Sequence, residues 1–285
     1  MTSINNSFNF MSWNVGTDGD YLKKQLALEM LDKPKSQEEV DQLMHVIQEV
    51  RDKKIKDIFG ATKPAVASLQ EVSGEPHERV QGWLGSEYAI HRGDKDDTAV
   101  AWNKNRFDLV GVIKSEGRGK VTIVDLRDKE TAKIIRITSA HVTGVLDPHN
   151  PDPMDAKEGD EQLEEIVNAI FKDNNSSLSG MLIGTDLNTT PAYTARYEPL
   201  QAQGFKKDNN ASETNLNVRQ EPDPRQIDHI FSKAMGTNMT ISDTNVPDIH
   251  ELKEWSENPS DHRPLMTKVT FSDSLAGRIS RLFGK

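Results

Sequence analysis

Short apolar runs recur from one end of the chain to the other, rich in β-branched residues and bounded by Gly, Pro, Asp or Asn. Runs of this length and composition are typical of β-strands, several of them buried on both faces. They predict strands at 8–15, 65–72, 97–103, 120–126, 133–142, 179–188, 226–232 and 264–271.

Helical patterns lie between these runs. The clearest spans 160–171, where apolar residues share one helical face: Leu163, Ile166, Val167, Ile170 and Phe171. A second helix is predicted to begin at Ser36, because Ser36 and Glu39 match the capping box that closes a helix N-terminus. Its apolar side is predicted to consist of Val40, Leu43, Ile47 and Val50.

The alternation of strands and helices predicts an α/β fold. The chain has no internal repeat and no low-complexity linker. Polar, proline-containing stretches at 145–155 and 219–226 are predicted to be surface loops, because strand patterns resume directly after each. We therefore predict a single domain over residues 1–285.

Composition narrows the chemistry. The 285 residues are enough to bury a sizeable core, and they include no cysteine. A disulfide framework, thiol catalysis and cysteine-bound metal are therefore excluded, and any metal must be bound by oxygen or by histidine nitrogen. The net charge of −10 disfavours tight non-specific binding to nucleic acid, although a local basic patch would suffice.

Targeting signals are not evident in the sequence. The N-terminus lacks a basic start followed by an apolar run. No apolar stretch approaches the roughly 20 residues that span a bilayer. We expect a cytoplasmic protein, although a protein exported without a signal would have the same pattern.

Polar residues that can bind metal or move protons collect at the ends of the predicted strands. Taken singly, an Asn or Asp at such a place is usually a turn former or a helix cap, and a Glu or His is usually solvated or structural. Together they are harder to explain in that way, because α/β folds build their sites at strand ends. The set consists of Asn14, Glu71, His141, Asp186, Asn188, Asp228, Asp261 and His262.

This set suits phosphate chemistry with a divalent metal. Hard oxygen ligands can hold Mg²⁺ or Mn²⁺; here they are Asn14, Glu71, Asp186, Asn188 and Asp261. Two histidines can donate hydrogen bonds or protons to a phosphate. A further acid, Asp228, can fix the tautomer of a histidine by accepting its Nδ1–H.

The same segments resemble, in order, the motifs of the endonuclease/exonuclease/phosphatase superfamily. They read SWNV, LQEV, SAHV, GTDLN, QIDHI and SDHRP, and they run from Asn14 to Pro264. TAVAWNKNRF at 98–107 is similar to the middle hairpin of that family. The resemblance implies two packed mixed β-sheets flanked by helices, a four-layer sandwich of the deoxyribonuclease I-like type.

The resemblance also implies roles. Glu71 would be the main ligand of Mg²⁺ (or Mn²⁺), with Asn14 and Asp261 in or near the metal shell. Asp186 would position or deprotonate the attacking water with the help of Asn188.

The histidines would face the phosphate. His262 would stabilise its developing charge and be oriented by Asp228, and His141 would be the second histidine there. A histidine at position 141 is typical of the deoxyribonuclease, sphingomyelinase and phosphatase branches. His229 should point to the opposite side of its strand from Asp228, and we interpret it as structural.

Substrate choice remains open at this level. The family resemblance implies a metal-dependent phosphoric ester hydrolase, of the phosphodiesterase or nuclease type. The alternatives are a phosphoinositide phosphatase or sphingomyelinase-like lipid phosphoesterase, and a non-catalytic binding protein on the same fold. The expected partner is a phosphate ester, either a nucleic acid or a phospholipid or inositol phosphate, and we expect a monomer.

Two segments depart from a compact member of this family. The distance from Asn14 to Glu71 is 71 − 14 = 57 positions, which implies a helical insertion at about 20–60. The C-terminal segment 272–285 can form a short amphipathic helix that carries Arg278, Arg281 and Lys285. It is either docked on the domain or frayed, as Gly277 and Gly284 favour, or it contacts a membrane surface weakly.

Overall fold

A computed structural model describes residues 6–16, 36–93, 97–114, 120–143, 153–173, 175–189, 194–208, 213–214, 226–235, 238–249, 252 and 258–272. Two mixed β-sheets of six strands each dominate this part of the chain, as the sequence predicted. The C-terminal segment after Ser272, most of the insertion before Ser36 and most of the two predicted proline-containing loops lie outside the described residues.

The first sheet has its strands in the order β11 (Asn238–Ile241), β12 (Leu265–Ser272), β1 (Ser7–Asn14), β2 (Val66–Gln70), β4 (Thr98–Asn103) and β3 (Tyr88–Arg92). The second sheet has the order β5 (Phe107–Ile113), β6 (Val121–Asp128), β7 (Ile134–His141), β8 (Leu178–Asp186), β10 (Asp228–Ala234) and β9 (Lys206–Lys207). Each sheet contains one parallel pair, β1 with β2 and β7 with β8.

Helices cover the outer faces of both sheets. They are α1 (Gln37–Thr62), α2 (His77–Leu84), α3 (Pro153–Phe171) and α4 (Glu198–Ala202), with a 3-10 turn at Thr194–Arg196. No helix in the described part of the chain is long and apolar enough to cross a bilayer.

In the described part of the chain, three apolar cores fill the spaces between the resulting four layers. The central core lies between the two sheets and includes Phe10, Val100, Ile137 and Leu182. One outer core packs α1 and α2 on the first sheet. The other packs α3 on the second sheet.

The sequence predicted the eight longest buried strands and missed four others. The missed strands are β3, β5, β9 and β11. β5 has mostly exposed side chains, β3 has mostly half-buried ones, and β9 and β11 are only two and four residues long, so none presents a buried apolar run. Helix α3 begins at Pro153, within a stretch predicted to be a loop, and proline is well suited to the first turn of a helix.

Helix α1 begins as predicted, with both hydrogen bonds of the capping box between Ser36 and Glu39 present. Its predicted apolar side is wrong in one position, because Val50 is 43% exposed. The helix instead turns a stripe inward that consists of Ile47, Arg51, Ile55, Ile58 and Phe59. Arg51 lies in the middle of this stripe, where a helical hydrophobic pattern would predict an apolar residue, and its side chain is hydrogen-bonded.

The side chains that fill the space between the sheets change from apolar to polar along the strands, and the site lies at the polar end. Alternate residues of β1 point into this space, and they read Phe8, Phe10, Ser12 and Asn14. β8 follows the same course through Leu182, Gly184 and Asp186. Apolar side chains therefore give way to small ones and then to Asn and Asp at the carboxyl ends of the strands.

Candidate active site

Three predicted site residues lie side by side on neighbouring strands. His141 of β7 is the register partner of Asp186 of β8. Asp186 is in turn the register partner of Asp228 of β10. The sheet thus arranges His141, Asp186 and Asp228 in one row at the end of the space between the sheets, and all three are buried.

His262 joins this row from the loop before β12. Its Nδ1 lies 2.8 Å from Oδ2 of Asp228, and its Nε2 lies 3.8 Å from Oδ2 of Asp186. Because a carboxylate can only accept, the bond to Asp228 places a proton on Nδ1 and turns Nε2 toward Asp186.

His141 has an equivalent arrangement on the other side of Asp186. Its Nδ1 lies 2.8 Å from Oδ2 of Asp97, and its Nε2 lies 3.9 Å from Oδ2 of Asp186 and 3.6 Å from Oε1 of Glu71. Asp97 is itself held by a hydrogen bond from Ser73 Oγ. Two histidine–carboxylate pairs therefore converge on one oxygen of Asp186.

Asn14 links the two sheets at this point. Its Nδ2 donates to Oε1 of Glu71 at 2.9 Å and to Oδ2 of Asp186 at 3.0 Å. Its Oδ1 accepts from the backbone N–H of Gly16. Asn14 and Glu71 come from the first sheet and Asp186 from the second, so the amide bridges both halves of the site.

Two site residues adopt left-handed backbone conformations. Glu71 has φ 55° and Asn188 has φ 48°. Such values are uncommon outside glycine and strained for a residue like Glu. The backbone of Asn188 donates to Oδ1 of Asp186, and its Nδ2 donates to the carbonyl of Val142 and lies 3.4 Å from Nε2 of His141. The left-handed turns point both side chains back toward the row.

The loop that carries Asp261 and His262 is fixed by its own side chains. Ser260 Oγ accepts from the backbone N–H of His262 and donates to the carbonyl of Asn14. The carbonyl of His262 accepts from Trp13 Nε1 and from Asn258 Nδ2. Asp261 itself lies at the rim, with its side chain 40% exposed and its Oδ1 4.0 Å from Nε2 of His262.

The surroundings of His141, His262 and Asp186 raise the pKa of all three side chains. Burial, followed by the charge of Asp228, raises the pKa of Asp186 to about 6, although His262 and His141 act in the opposite direction. Burial alone would lower the pKa of His262, but the charges of Asp228 and Asp261 outweigh it and raise the pKa well above its usual value. The pKa of His141 is also raised, because the hydrogen bond to Asp97 and the charges of Asp186 and Glu71 overcome burial.

Sequence reasoning assigned no role to Asp97. Burial opposes its ionisation, but the hydrogen bond and the charge of His141 prevail and lower its pKa. Asp97 directly precedes β4, where an isolated Asp is usually a turn former. Its link to His141 spans 44 positions and depends on the packing of two sheets, so no local signal marks it.

The residues present fit a hard divalent cation. Glu71, His141 and Asp186 each bring a possible ligand atom within 4.8 Å of the others, and so do Asp186, Asp228 and His262. Among the described residues, Asp261 belongs to neither group. The donors are carboxylate oxygens and imidazole nitrogens, with the amide of Asn14 beside them, which is a set compatible with Mg²⁺ or Mn²⁺.

Comparison with known proteins gives one family. The model of the Endonuclease/Exonuclease/phosphatase family matches residues 11–262. In a comparison with curated protein sequences, none matches significantly.

Solved structures with the same fold are distant in sequence. An endonuclease/exonuclease/phosphatase from Bacteroides vulgatus has a TM-score of 0.66 at 14% identity, over 93% of this chain and 99% of that one. D. rerio TDP2 complexed with single strand DNA product has a TM-score of 0.61 at 15% identity, over 93% of this chain and 100% of that one. The mannosyl-6-phosphatase Bt3783 of Bacteroides thetaiotaomicron has a TM-score of 0.60 at 14% identity, over 93% and 100%.

Proposed function

The chain belongs to the endonuclease/exonuclease/phosphatase family, and from that premise we propose that it is a divalent-metal-dependent hydrolase of phosphate esters. One observation carries the proposal. Nε2 of His141 and Nε2 of His262 lie 3.9 Å and 3.8 Å from the same oxygen of Asp186, at the end of the space between the sheets. Attack of water on a phosphate requires a base that positions the water and donors that stabilise the phosphate oxygens. The carboxylate of Asp186 and the two imidazoles next to it can supply these groups.

Glu71 and Asp261 would hold the metal, which we propose to be Mg²⁺ or Mn²⁺, and Asn14 would lie beside the metal shell and hold Glu71 through its Nδ2. Bound there, the cation would neutralise charge on the phosphate oxygens. Glu71 is suited to this role because its side chain is only partly buried and its Oε1 already faces Asn14 and His141. Asp261, at the exposed rim, would complete the shell from the opposite loop.

Asp186 would accept the proton of the attacking water. A base works best when its pKa lies near the working pH, and burial raises the pKa of Asp186 to about 6. The backbone N–H of Asn188 holds Oδ1 of Asp186, which leaves Oδ2 turned toward both histidines. Asn188 would therefore help to hold both the base and the water.

His262 and His141 would stabilise the negative charge that develops on the phosphate. In each, Nδ1 is bonded to a carboxylate, so Nε2 is the atom available to donate. The raised pKa of both histidines favours the charged form, which binds an anionic oxygen more strongly than the neutral form. Asp228 and Asp97 would orient these rings without contacting the substrate.

We favour a phosphodiester substrate, with lipid phosphate esters as the alternative. Support for the first comes from the D. rerio TDP2 structure, which is described as complexed with single strand DNA product. The mannosyl-6-phosphatase of Bacteroides thetaiotaomicron has a similar fold, and this likeness supports phosphate monoesters as a further candidate substrate class.

A substrate panel with metal control tests the proposal. Plasmid DNA, RNA, sphingomyelin and phosphoinositides are each incubated with Mg²⁺, with Mn²⁺ and with EDTA. We expect hydrolysis of at least one substrate with metal, none with EDTA, and none with Asp186→Asn. The exposed Asp108→Asn serves as a matched control and should retain full activity. Full activity in metal-free buffer would contradict metal dependence, and binding without any hydrolysis would favour a non-catalytic protein.

A further inference from the structure

Arg51 is a buried arginine on the inner face of α1, and nothing in the proposed chemistry uses it. Its guanidinium donates in three directions. Nε donates to the carbonyl of Pro259 at 3.2 Å, and Nη1 donates to Oε1 of Glu75 at 2.9 Å. Nη2 donates to the carbonyls of Val15 at 3.0 Å and Gly16 at 2.8 Å.

These four partners lie in the same loops as Asn14, Glu71 and Asp261. Val15 and Gly16 follow Asn14, Glu75 lies four positions after Glu71, and Pro259 lies two positions before Asp261. One guanidinium therefore connects the three loops that carry the proposed metal ligands Glu71 and Asp261 and the adjoining Asn14.

The first and the last of these loops also pack on one another, so a shift of one loop would move the other. A Cβ at Gly16 would meet Ser260 Oγ at 3.2 Å and Asp261 Oδ1 at 3.6 Å, which shows how closely the first loop approaches the last. Gly16 has φ +66°, a left-handed conformation that glycine adopts without strain. Its carbonyl is one of the acceptors of Arg51.

A guanidinium suits this position and an ammonium does not. Burying a charge is unfavourable unless its donors are hydrogen-bonded, and the flat fork of arginine reaches several acceptors in fixed directions. Glu75 supplies the opposing charge and is held in turn by Arg79 at 2.8 Å. Lysine would keep the charge but could not reach acceptors on all three loops at once.

We propose that Arg51 is a positioning residue that sets the spacing of the metal-binding loops and thereby the affinity of the protein for its divalent metal. This inference rests on the proposed function, because it takes Glu71 and Asp261 as metal ligands and Asn14 as the residue beside them. In this role Arg51 would support the loops without binding metal or substrate itself. It acts through backbone carbonyls and through Glu75.

Metal binding measured without substrate tests this role directly. Mn²⁺ is titrated by calorimetry into the full chain and into Arg51→Lys, and both are checked for folding by circular dichroism and thermal melting. We expect the dissociation constant to rise about tenfold, the range seen when a support of a metal ligand is lost. Turnover at saturating metal should change by a smaller factor than the dissociation constant.

Arg136→Lys is the matched control. Arg136 is equally buried on β7, where it bonds Asp125 through two nitrogens and the carbonyl of Ile170, but its partners lie outside the three loops. The Arg136→Lys substitution should lower the stability of the protein without changing its affinity for Mn²⁺. An unchanged dissociation constant in Arg51→Lys, or an equal rise in Arg136→Lys, would overturn the inference.

Two further outcomes are also decisive. If Arg51→Lys does not fold, Glu75→Gln removes the opposing charge and keeps the arginine. A weaker Mn²⁺ affinity then supports the inference, and an unchanged one overturns it. If the unmodified protein binds no Mn²⁺, the proposed metal dependence fails and this inference fails with it. If the unmodified protein binds Mn²⁺ and Arg51→Lys binds it equally well, only this inference fails.

Discussion

At the scale of single residues, each site histidine has its own carboxylate, and the two carboxylates differ in enclosure. Asp228 is 1% exposed, whereas the side chain of Asp97 is 14% exposed. In both pairs Nδ1 lies 2.8 Å from a carboxylate oxygen. Because each carboxylate is bonded to Nδ1, and Nε2 is the ring nitrogen near Asp186, their proposed contribution is orientation and charge support rather than contact with the substrate.

The pair Asp228 and His262 should behave as one unit. His262→Ala should lower turnover by about 100-fold or more. Asp228→Asn should lower it strongly as well, by no more than His262→Ala, with the fold intact. The double variant should be little worse than His262→Ala alone, because Asp228 acts through the ring that is already absent.

Steady-state kinetics of the two single variants and the double variant measures this coupling. The pair Asp97 and His262 is the control, because Asp97 is bonded to the other histidine, and its coupling should be smaller. Losses that multiply in the Asp228 and His262 double variant would show that the two residues act separately.

His229 carries a prediction about stability rather than catalysis. It points to the opposite face from Asp228, where its Nε2 lies 3.1 Å from Tyr197 Oη and its Nδ1 lies 3.8 Å from Asp208. Burial lowers its pKa, with a further lowering from Lys207, and these effects outweigh the opposing influence of Asp208 and Asp228. As pH falls through the ordinary value, the unfolded chain takes up a proton that the folded protein does not.

Stability linked to His229 is therefore present above about pH 6.5 and lost below it. Between pH 7.5 and 5.5 the unfolding free energy should fall more steeply with decreasing pH in the unmodified protein than in His229→Phe. Denaturant melts of both proteins across this range measure the difference. Equal slopes against pH would contradict a neutral, buried His229.

Residue-scale features divide into those the sequence could and could not predict. Motif order marks Glu71, Asp186 and His262, because each lies at one end of an apolar run that forms a strand. Arg51 and Asp97 carry no such mark. Their partners are distant in sequence and come together only when helices and sheets pack.

At the scale of elements, the closeness of the two sheets below the site depends on small side chains. Gly184 of β8 faces Ser12 of β1 and Ser68 of β2, and Ser68 Oγ donates to the carbonyl of Thr138 on the other sheet. A Cβ at Gly184 would lie 2.7 Å from Ser12 Oγ and from Ser68 Cβ. The sheets could not approach this closely with a larger residue there.

Gly184→Ala should therefore separate the sheets just below Asn14 and Asp186. Overpacking of this kind typically destabilises by about 1–3 kcal/mol. Turnover should also fall, because Glu71 and Asp186 belong to different sheets. Denaturant melts and kinetics measure both effects.

The control for this change is Gly111→Ala in β5. A Cβ there would meet Asp125 Cβ at 3.7 Å, an ordinary contact. Stability and turnover of this variant should be close to those of the unmodified protein. If Gly184→Ala were as harmless as Gly111→Ala, close packing of the sheets would not matter to the site.

At the scale of the whole molecule, the site lies where two parallel strand pairs end. β1 and β2 are parallel in the first sheet, and β7 and β8 are parallel in the second. Their carboxyl ends bring Asn14, Glu71, His141 and Asp186 together. Apolar runs predict that the strands exist but do not tell which strands are neighbours, so the resemblance of the motifs, rather than their periodicity, predicted the four layers.

The last described strand ends on the side of the domain remote from the site. β12 is antiparallel to β1, and Thr270 pairs with Ser7, at the far end of β1 from Asn14. Residues after Ser272 lie outside the described part of the chain, so their membrane role stays a prediction from sequence. Removing them should leave hydrolysis of a water-soluble phosphodiester unchanged.

If the segment contacts membranes, its basic residues should contribute about 1 kcal/mol each near an anionic surface, against the repulsion from a chain of net charge −10. The full chain should then co-sediment with phosphatidylserine-containing vesicles more than a version that ends at Asp273, and the difference should shrink at high salt. Neutral vesicles are the control. Equal binding by both versions, or binding by neither, would show that the segment is not a membrane anchor and would remove the independent support for a lipid substrate.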